Sequence, residues 1–207
     1  MNMNRIVVAP FILALIPMTM HAQTTSQAPA QPKCLLTEAN SPTVRGVRLG
    51  MSVEQLLALF PGSVKRKELK ETIEKAKAVN SNEMVFIPFE PALDANKDRF
   101  VGVDTVVAGV YKGRVIDFSV TYIGVTLGSI DEWIGKLAET LNLPARQEWV
   151  VGPNETPNKV LKCSGIEIEG AIQGGGASIR LRNAEFLKGM EGRTTAPEEK
   201  KLRDFKP

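Results

Sequence analysis

The spacing of apolar residues predicts a short helix that begins after Ser52. Ser52 and Gln55 have the spacing of a capping box, in which each side chain bonds a backbone N–H group of the other residue. The apolar residues that follow recur at intervals of three and four, which is typical of one buried helix face: Val53, Leu56, Leu57 and Phe60. Pro61-Gly62 is predicted to end this helix.

The same pattern returns in the second half of the chain. Ser129 and Glu132 form a second capping-box pair, and Pro144 is predicted to end the helix that follows. Its apolar stripe consists of Ile130, Trp133, Ile134, Leu137 and Leu141.

A further helix is predicted over residues 65–78. Its buried face would contain Leu69, Ile73 and Ala76. On its exposed face, Lys67 with Glu71 and Lys70 with Glu74 have the spacing of ion pairs.

Alternating apolar and polar positions predict strands next to these helices. Residues 44–49 are β-prone, and Gly50 permits a sharp turn after them. A turn at Lys112-Gly113 precedes a strand with one apolar face, formed by Ile116, Phe118, Val120 and Tyr122. A two-residue turn at Gly174-Gly175 would close a last hairpin, in which the facing residues are Glu169 with Arg180, Glu167 with Arg182, and Ile168 with Leu181.

Together these elements predict an α+β domain over residues 43–183. Two helix-plus-hairpin units would pool their strands into one antiparallel sheet, with the helices packed on one face. Residues 184–207 mix charges of both signs with sparse apolar residues, which indicates a charged tail or a peripheral helix.

The N-terminal residues have the layout of a secretory signal. Arg5 precedes an apolar run from Ile6 to Ile16, and small and polar residues follow up to Ala22. We expect residues 1–22 to be a signal peptide cleaved after Ala22, while a buried helix or an uncleaved anchor is the alternative. The apolar run is too short to span a bilayer, so no transmembrane segment is expected in the mature chain. Residues 23–42 would form a flexible leader, and the protein would be periplasmic or secreted.

Charge and composition narrow the classes of function. Cleavage would remove Arg5 and the single histidine, leaving 25 basic and 23 acidic side chains and a charge of +2. This balance argues against nucleic acid as a partner, since its binders usually carry a strong basic excess. A mature chain without histidine also lacks the usual general base and the commonest metal ligand.

Two cysteines, Cys34 and Cys163, lie 129 residues apart. In an oxidising compartment such a pair normally forms a disulfide, and no C-x-x-C spacing supports a reactive thiol. The sequence therefore predicts a structural disulfide that ties the leader to the domain.

Four groups of residues have features of ligand sites. Asp94, Asn96 and Asp98 match the start of a calcium loop, but Arg99 and Thr105 replace its glycine and its bidentate glutamate, so a polar turn is favoured. The run Gly174–Gly176 lacks the helix and the lysine of a phosphate loop. The cations Lys65, Arg66 and Lys67 are followed by a segment in which glutamates and further lysines are interspersed, which is typical of a solvated helix face. The large amphipathic aromatic residues could anchor a partner, although Trp133 and Tyr122 are expected in the core: Tyr111, Tyr122, Trp133 and Trp149.

The stretch VRGVRLGMSVEQLLALFPG, residues 44–62, resembles the strand, Gly-Met-Ser turn and short helix of bacterial envelope proteins related to the outer-membrane assembly component BamE (SmpA). The general plan is also similar to domains of the β-lactamase inhibitory protein. The stretches DEWIGKLAETLNLP, KVLKCSG and DFKP resemble uncharacterised exported bacterial proteins. These resemblances imply an α+β fold and transfer no functional residues to this chain.

We therefore expect an exported, non-catalytic binding module with a protein or another envelope component as partner. An inhibitor of an extracellular or periplasmic hydrolase is the alternative, and a hydrolase using carboxylates such as Glu167 and Glu169 is the third hypothesis. No catalytic residue, metal ligand or cofactor is predicted, and the binding residues, the partner and the oligomeric state are not assigned.

Overall fold

The computed structural model describes residues 34–95, 97–153 and 156–189. Seven strands in this part of the chain form one antiparallel sheet in the order β1-β2-β3-β7-β6-β5-β4. They are β1 Val85–Phe89, β2 Val103–Tyr111, β3 Arg114–Tyr122, β4 Val150–Val151, β5 Asn158–Lys162, β6 Ile166–Gln173 and β7 Gly176–Asn183. The helices are α1 Val53–Leu59, α2 Lys67–Lys77, α3 Pro91–Asp94 and α4 Ile130–Leu141, with short 3-10 turns at Ser63–Lys65, Lys97–Phe100 and Arg146–Glu148. Residues 184–189 are also helical.

The predicted α+β class is confirmed, because helices and an antiparallel sheet share one apolar core. The pairing of β3 with β7 joins the strands of the first half of the chain to those of the second half. The division into two similar helix-plus-hairpin units stays a prediction. The signal peptide and most of the leader lie outside the described residues, as does the tail beyond residue 189. No helix in the described part combines the length and apolarity needed to cross a bilayer.

Both predicted helix starts are confirmed. At α1 the Gln55 backbone N–H donates to Ser52 Oγ at 3.3 Å, and the Ser52 N–H donates to Gln55 Oε1 at 3.0 Å. At α4 the Glu132 N–H donates to Ser129 Oγ at 3.2 Å, but Glu132 Oε2 accepts from the Gly128 N–H, one residue before the cap. The helix ends at Leu141 and is capped by Asn142, whose left-handed backbone stops the helix before Pro144.

Helix α2 buries the three predicted residues Leu69, Ile73 and Ala76. The predicted ion pairs on its exposed face are replaced by others. Glu71 pairs with Lys75 at 2.7 Å and Glu74 pairs with Lys77 at 3.0 Å. Each glutamate thus pairs with a lysine that follows it, which is the orientation that agrees with the helix dipole.

Residues 44–49 do not form the predicted strand. Val44 and Val47 exchange two backbone hydrogen bonds of 2.9 Å, and the two residues between them have positive φ angles, 53° at Arg45 and 93° at Gly46. A single bridge closed by this tight turn replaces an extended run, because Gly46 makes the reversal possible. Next, Gly50 donates to the Val115 carbonyl at 2.8 Å and places α1 beside the start of β3.

A β-bulge alters the predicted apolar face of β3. Gly109 pairs with Asp117, but the next residue of β2, Val110, pairs with Val115. Ile116 is the additional residue at this bulge, so Val115 rather than Ile116 joins the core cluster with Phe118 and Val120. The bulge leaves Asp117 on the opposite face of the sheet.

Close packing against α4 depends on a glycine of β6. A Cβ atom added at Gly170 would lie 2.5 Å from Ile134 Cδ1 and 3.2 Å from Leu137 Cδ1. Trp133, on the same helix face, donates from Nε1 to the Ser178 carbonyl on β7 at 2.8 Å. The absence of a side chain at Gly170 therefore lets the helix approach the sheet.

Candidate binding surface

The disulfide between Cys34 and Cys163 is present, with Cα atoms 4.4 Å apart. Backbone hydrogen bonds extend this junction: the Ser164 N–H donates to the Cys34 carbonyl at 2.9 Å and the Gly165 N–H to the Leu36 carbonyl at 3.0 Å. The described part of the predicted leader is therefore attached to the loop between β5 and β6. No further cysteine occurs in the sequence.

The last hairpin has the predicted register. Glu169 lies opposite Arg180, Glu167 opposite Arg182, and Ile168 opposite Leu181. Its turn residues, Gly174 and Gly175, have φ angles of 59° and 80°. The four charged residues therefore share one sheet face, opposite the core, which we call the polar face.

Side-chain contacts on the polar face differ from the direct cross-strand pairs. Arg182 bonds both Glu167 and Glu169, the latter at 3.2 Å. Arg180 instead bonds both carboxylate oxygens of Asp117 on β3, at 2.9 and 2.5 Å. Sequence reasoning missed Asp117, whose signal was an acidic residue between two apolar positions of a predicted strand.

These contacts commit the carboxylates of the polar face to fixed partners. Asp117 is almost fully buried, with 6% of its side chain exposed. The hydrogen bond to Asp117 raises the pKa of Arg180. Glu169 also accepts from Asn158 Nδ2 at 2.7 Å. Such an arrangement holds these side chains in charge-assisted hydrogen bonds and leaves none of these contacts free for acid–base chemistry.

A cleft of about 630 Å³ opens at one end of the polar face. It lies between β4, the β5–β6 strands and the helical residues 184–189. Four charged residues line it, namely Lys162, Glu167, Arg182 and Lys188, together with apolar residues that include Val150, Val160, Ile166 and Leu187. At its rim the edge strand β4 exposes Val150 and Val151, at 47% and 81% of their surface. We call this site the basic cleft.

A second depression of about 550 Å³ lies between residues 43–45 and helix α4. Its lining includes Tyr122, Trp133, Leu137 and Leu141, with Arg45 and Lys136 as the charged members. The Arg45 guanidinium lies 5.8 Å from the centre of the Tyr122 ring, and its Nη2 donates to the Val101 carbonyl at 3.2 Å. Burial raises the pKa of the Tyr122 phenol, while the hydrogen bond with Arg45 acts in the opposite direction. We call this site the α4 groove.

The residues that match the start of a calcium loop have other roles. Asp94 is buried and accepts from the Glu90 N–H at 2.8 Å and from Arg66 Nη1 at 3.0 Å. Asp98 lies in a 3-10 turn, and Asn96 is outside the described residues. Within the described residues, no group of three His, Cys, Asp or Glu side chains could hold a metal ion.

The basic run from Lys65 to Lys67 does not form one patch. Arg66 turns inward and pairs with Glu68, Glu90 and Asp94, and its hydrogen bond with Glu68 raises its pKa. Of the amphipathic aromatic residues, Trp133 is buried as expected, whereas Tyr122, also expected in the core, is only partly buried at its edge. Trp149 is also buried and donates to the Pro144 carbonyl at 3.2 Å, while Tyr111 packs on Phe186 with ring centres 4.8 Å apart.

Comparison of the chain with models of protein families, with curated proteins and with solved structures gives no match in any of the three. The resemblance to BamE-related envelope proteins and to the β-lactamase inhibitory protein stays a prediction.

Proposed function

We propose that the protein is an exported, non-catalytic binding module of the cell envelope, and that the basic cleft receives an acidic segment of a protein partner. The observation that carries the proposal is the combination of exposed apolar residues on an edge strand with lysines on the adjoining cleft wall. The disulfide supports export, since such bonds persist mainly in oxidising compartments.

The cleft offers positive charge that is available to a partner. Arg182 is bound by two carboxylates, but Lys162 and Lys188 are exposed and form no ion pair among the described residues. An acidic segment could neutralise both lysines without breaking an existing contact. Rim charges of this kind mainly raise the association rate and set the choice of partner.

The apolar part of the cleft supplies the surface that a partner can bury. Among the described residues Val151 is the most exposed large apolar side chain, at 81%, and Val150 beside it is exposed at 47%. An exposed apolar edge strand commonly marks an interaction site, since it offers both apolar area and unpaired backbone groups.

The polar face supports a structural rather than a catalytic role for its carboxylates. Glu167 and Glu169, the pair considered for a hydrolase, both contact Arg182. A general acid or base must be free to contact the substrate, whereas this guanidinium already holds both carboxylates. The third hypothesis therefore has less support than the first.

Affinity capture from an envelope extract, followed by titration of the purified partner, tests the proposal. The double variant Lys162→Glu/Lys188→Glu reverses the charge of the cleft, and the matched control Lys67→Glu/Lys70→Glu makes the same change in net charge on the exposed face of α2. We expect the first variant to weaken binding by about tenfold or more, which corresponds to about 1.4 kcal/mol. We expect the control to bind as the unmodified protein does.

Equal binding by both double variants would contradict the proposal that the partner binds in the basic cleft. Turnover in a substrate panel that is abolished by Glu167→Gln or Glu169→Gln would overturn the non-catalytic proposal. If the captured partner is a hydrolase, its rate with and without the protein decides whether the module is an inhibitor.

A further inference from the structure

The α4 groove combines an apolar interior with a cationic rim. Trp133 and Leu137 are buried at its base, and Tyr122 and Leu141 are partly exposed on its walls. Its volume of about 550 Å³ lies within the range of small-molecule sites. Beyond the groove, Val101 and Ile123 expose 68% and 56% of their surface, and a backbone hydrogen bond from Ile123 to Gly102 keeps these two segments adjacent.

Arg45 is held at the mouth of this groove by an unusual backbone. Its φ angle of 53° lies in the left-handed region, which residues other than Gly, Asn and Asp rarely adopt. The tight turn between Val44 and Val47 imposes this conformation, and the guanidinium then lies over the Tyr122 ring. A strained residue whose side chain points to a groove is a reason to look for a ligand there.

The charges around the groove favour an anion. Arg45 lies on one side of the groove and Lys136 on the other, and no Asp or Glu side chain lines the groove. Lys136 pairs with Glu132, one turn earlier on α4, at 2.8 Å. Both residues of this pair are about half exposed, so a ligand can compete for the lysine at little cost.

The groove suits an alkyl chain better than a peptide. One side of the groove is helix α4, whose backbone groups bond within the helix, and on the other side the N–H and C=O groups of Val44 are bonded to Val47. A peptide laid there would leave many of its own N–H and C=O groups without partners, which is unfavourable when they are buried. A hydrocarbon chain has no such groups.

We propose that the α4 groove binds a medium-chain fatty acid, with the alkyl chain along Trp133, Leu137 and Leu141 and the carboxylate between Arg45 and Lys136. This inference goes beyond the proposed function and does not depend on it, because the groove lies on the helix side of the sheet while the basic cleft adjoins the polar face.

Tryptophan fluorescence provides a direct test. The chain has two tryptophans, and Trp149→Phe leaves Trp133 as the reporter. The probe is dodecanoate carrying a terminal bromine, used below its micelle concentration, because bromine quenches an indole only at short range. We expect saturable quenching that unlabelled dodecanoate reverses and dodecyltrimethylammonium does not.

Matched variants locate the site. Arg45→Gln/Lys136→Gln is expected to weaken the apparent affinity by about tenfold, as the loss of two rim cations predicts. Thr140 is an exposed residue at the edge of the groove, so Thr140→Phe should block the groove with a ring and abolish quenching without changing the core. Lys162→Gln/Lys188→Gln in the basic cleft should leave the titration unchanged. Calorimetric titration of dodecanoate into the protein with both tryptophans, and into each variant made without Trp149→Phe, compares the same affinities independently of fluorescence.

Three results would overturn the inference: linear rather than saturable quenching together with no calorimetric heat, equal affinity in the Arg45→Gln/Lys136→Gln variant, or displacement by the cationic amphiphile as effective as that by dodecanoate.

Discussion

Replacement of Asp117 by Asn tests whether the polar face stabilises the pairing of β3 with β7. The amide keeps the shape of the side chain but removes the charge that Arg180 contacts through two nitrogen atoms. Removing one partner of a buried ion pair typically costs about 3–5 kcal/mol, whereas an exposed pair is worth about 0–1 kcal/mol. Here Asp117 is buried but the Arg180 side chain is 40% exposed, so water can replace part of the lost interaction.

We therefore expect Asp117→Asn to lower the free energy of unfolding by about 1.5 kcal/mol, between these two limits. For a chain of this length, this corresponds to a decrease in Tm of roughly 3–6 °C. Urea denaturation followed by tryptophan fluorescence measures the change. A double-mutant cycle with Arg180→Gln isolates the pair, and its coupling should reach about 1 kcal/mol.

The pair Glu71–Lys75 on α2 is the matched control, since both side chains are mostly exposed. Glu71→Gln should leave the urea midpoint almost unchanged, because water screens an exposed pair. A loss at Asp117 no larger than this, or a coupling with Arg180 near zero, would refute the reasoning. Addition of salt should reduce the control coupling more than the Asp117 coupling, because buried charges are less screened.

Three further predictions follow from the fold. Cys163→Ser should lower stability by roughly 2–4 kcal/mol, seen as a Tm decrease of several degrees that reductant reproduces in the unmodified protein, and equal Tm values would contradict it. Gly170→Ala should destabilise by roughly 1–3 kcal/mol through the clash with Ile134, whereas Gly135→Ala, with open space around its Cβ position, should stabilise by up to about 1 kcal/mol in the same urea titration. Burial raises the pKa of Tyr122, so its tyrosinate absorbance, taken as the difference from Tyr122→Phe, should have a midpoint above 10.0, and a midpoint at or below 10.0 would exclude the burial effect. The stability that this shift contributes is fully present below the pKa of the unfolded state and is lost as the pH rises through the pKa of the folded state.

Features encoded by neighbouring residues could be predicted from the sequence. The capping pair Ser52–Gln55 is three residues apart, and the Gly174-Gly175 turn lies between the strands that it joins. Each signal fixes a short segment, and the apolar periodicity then determines which face is buried. The helix starts and the register of the last hairpin are therefore correct.

Features that depend on distant residues could not be predicted in the same way. Arg180 contacts Asp117, which is 63 residues earlier on a strand whose neighbour the sequence did not identify. The β-bulge at Ile116 arises from the pairing of two strands rather than from either one alone. The basic cleft and the α4 groove each lie where several separate segments meet, so no local motif indicates them.

The polar network also determines which cations a partner can use. A ligand that bound Arg182 would have to separate it from Glu167 and Glu169. These two carboxylates would then lie side by side on one face of β6 without their guanidinium partner. Such a loss at a partly buried site outweighs what one new contact supplies. Lys162 and Lys188 carry no such penalty, because no ion pair holds them among the described residues. The arginines are therefore expected to preserve the shape of the basic cleft, and the two lysines to contact what enters it.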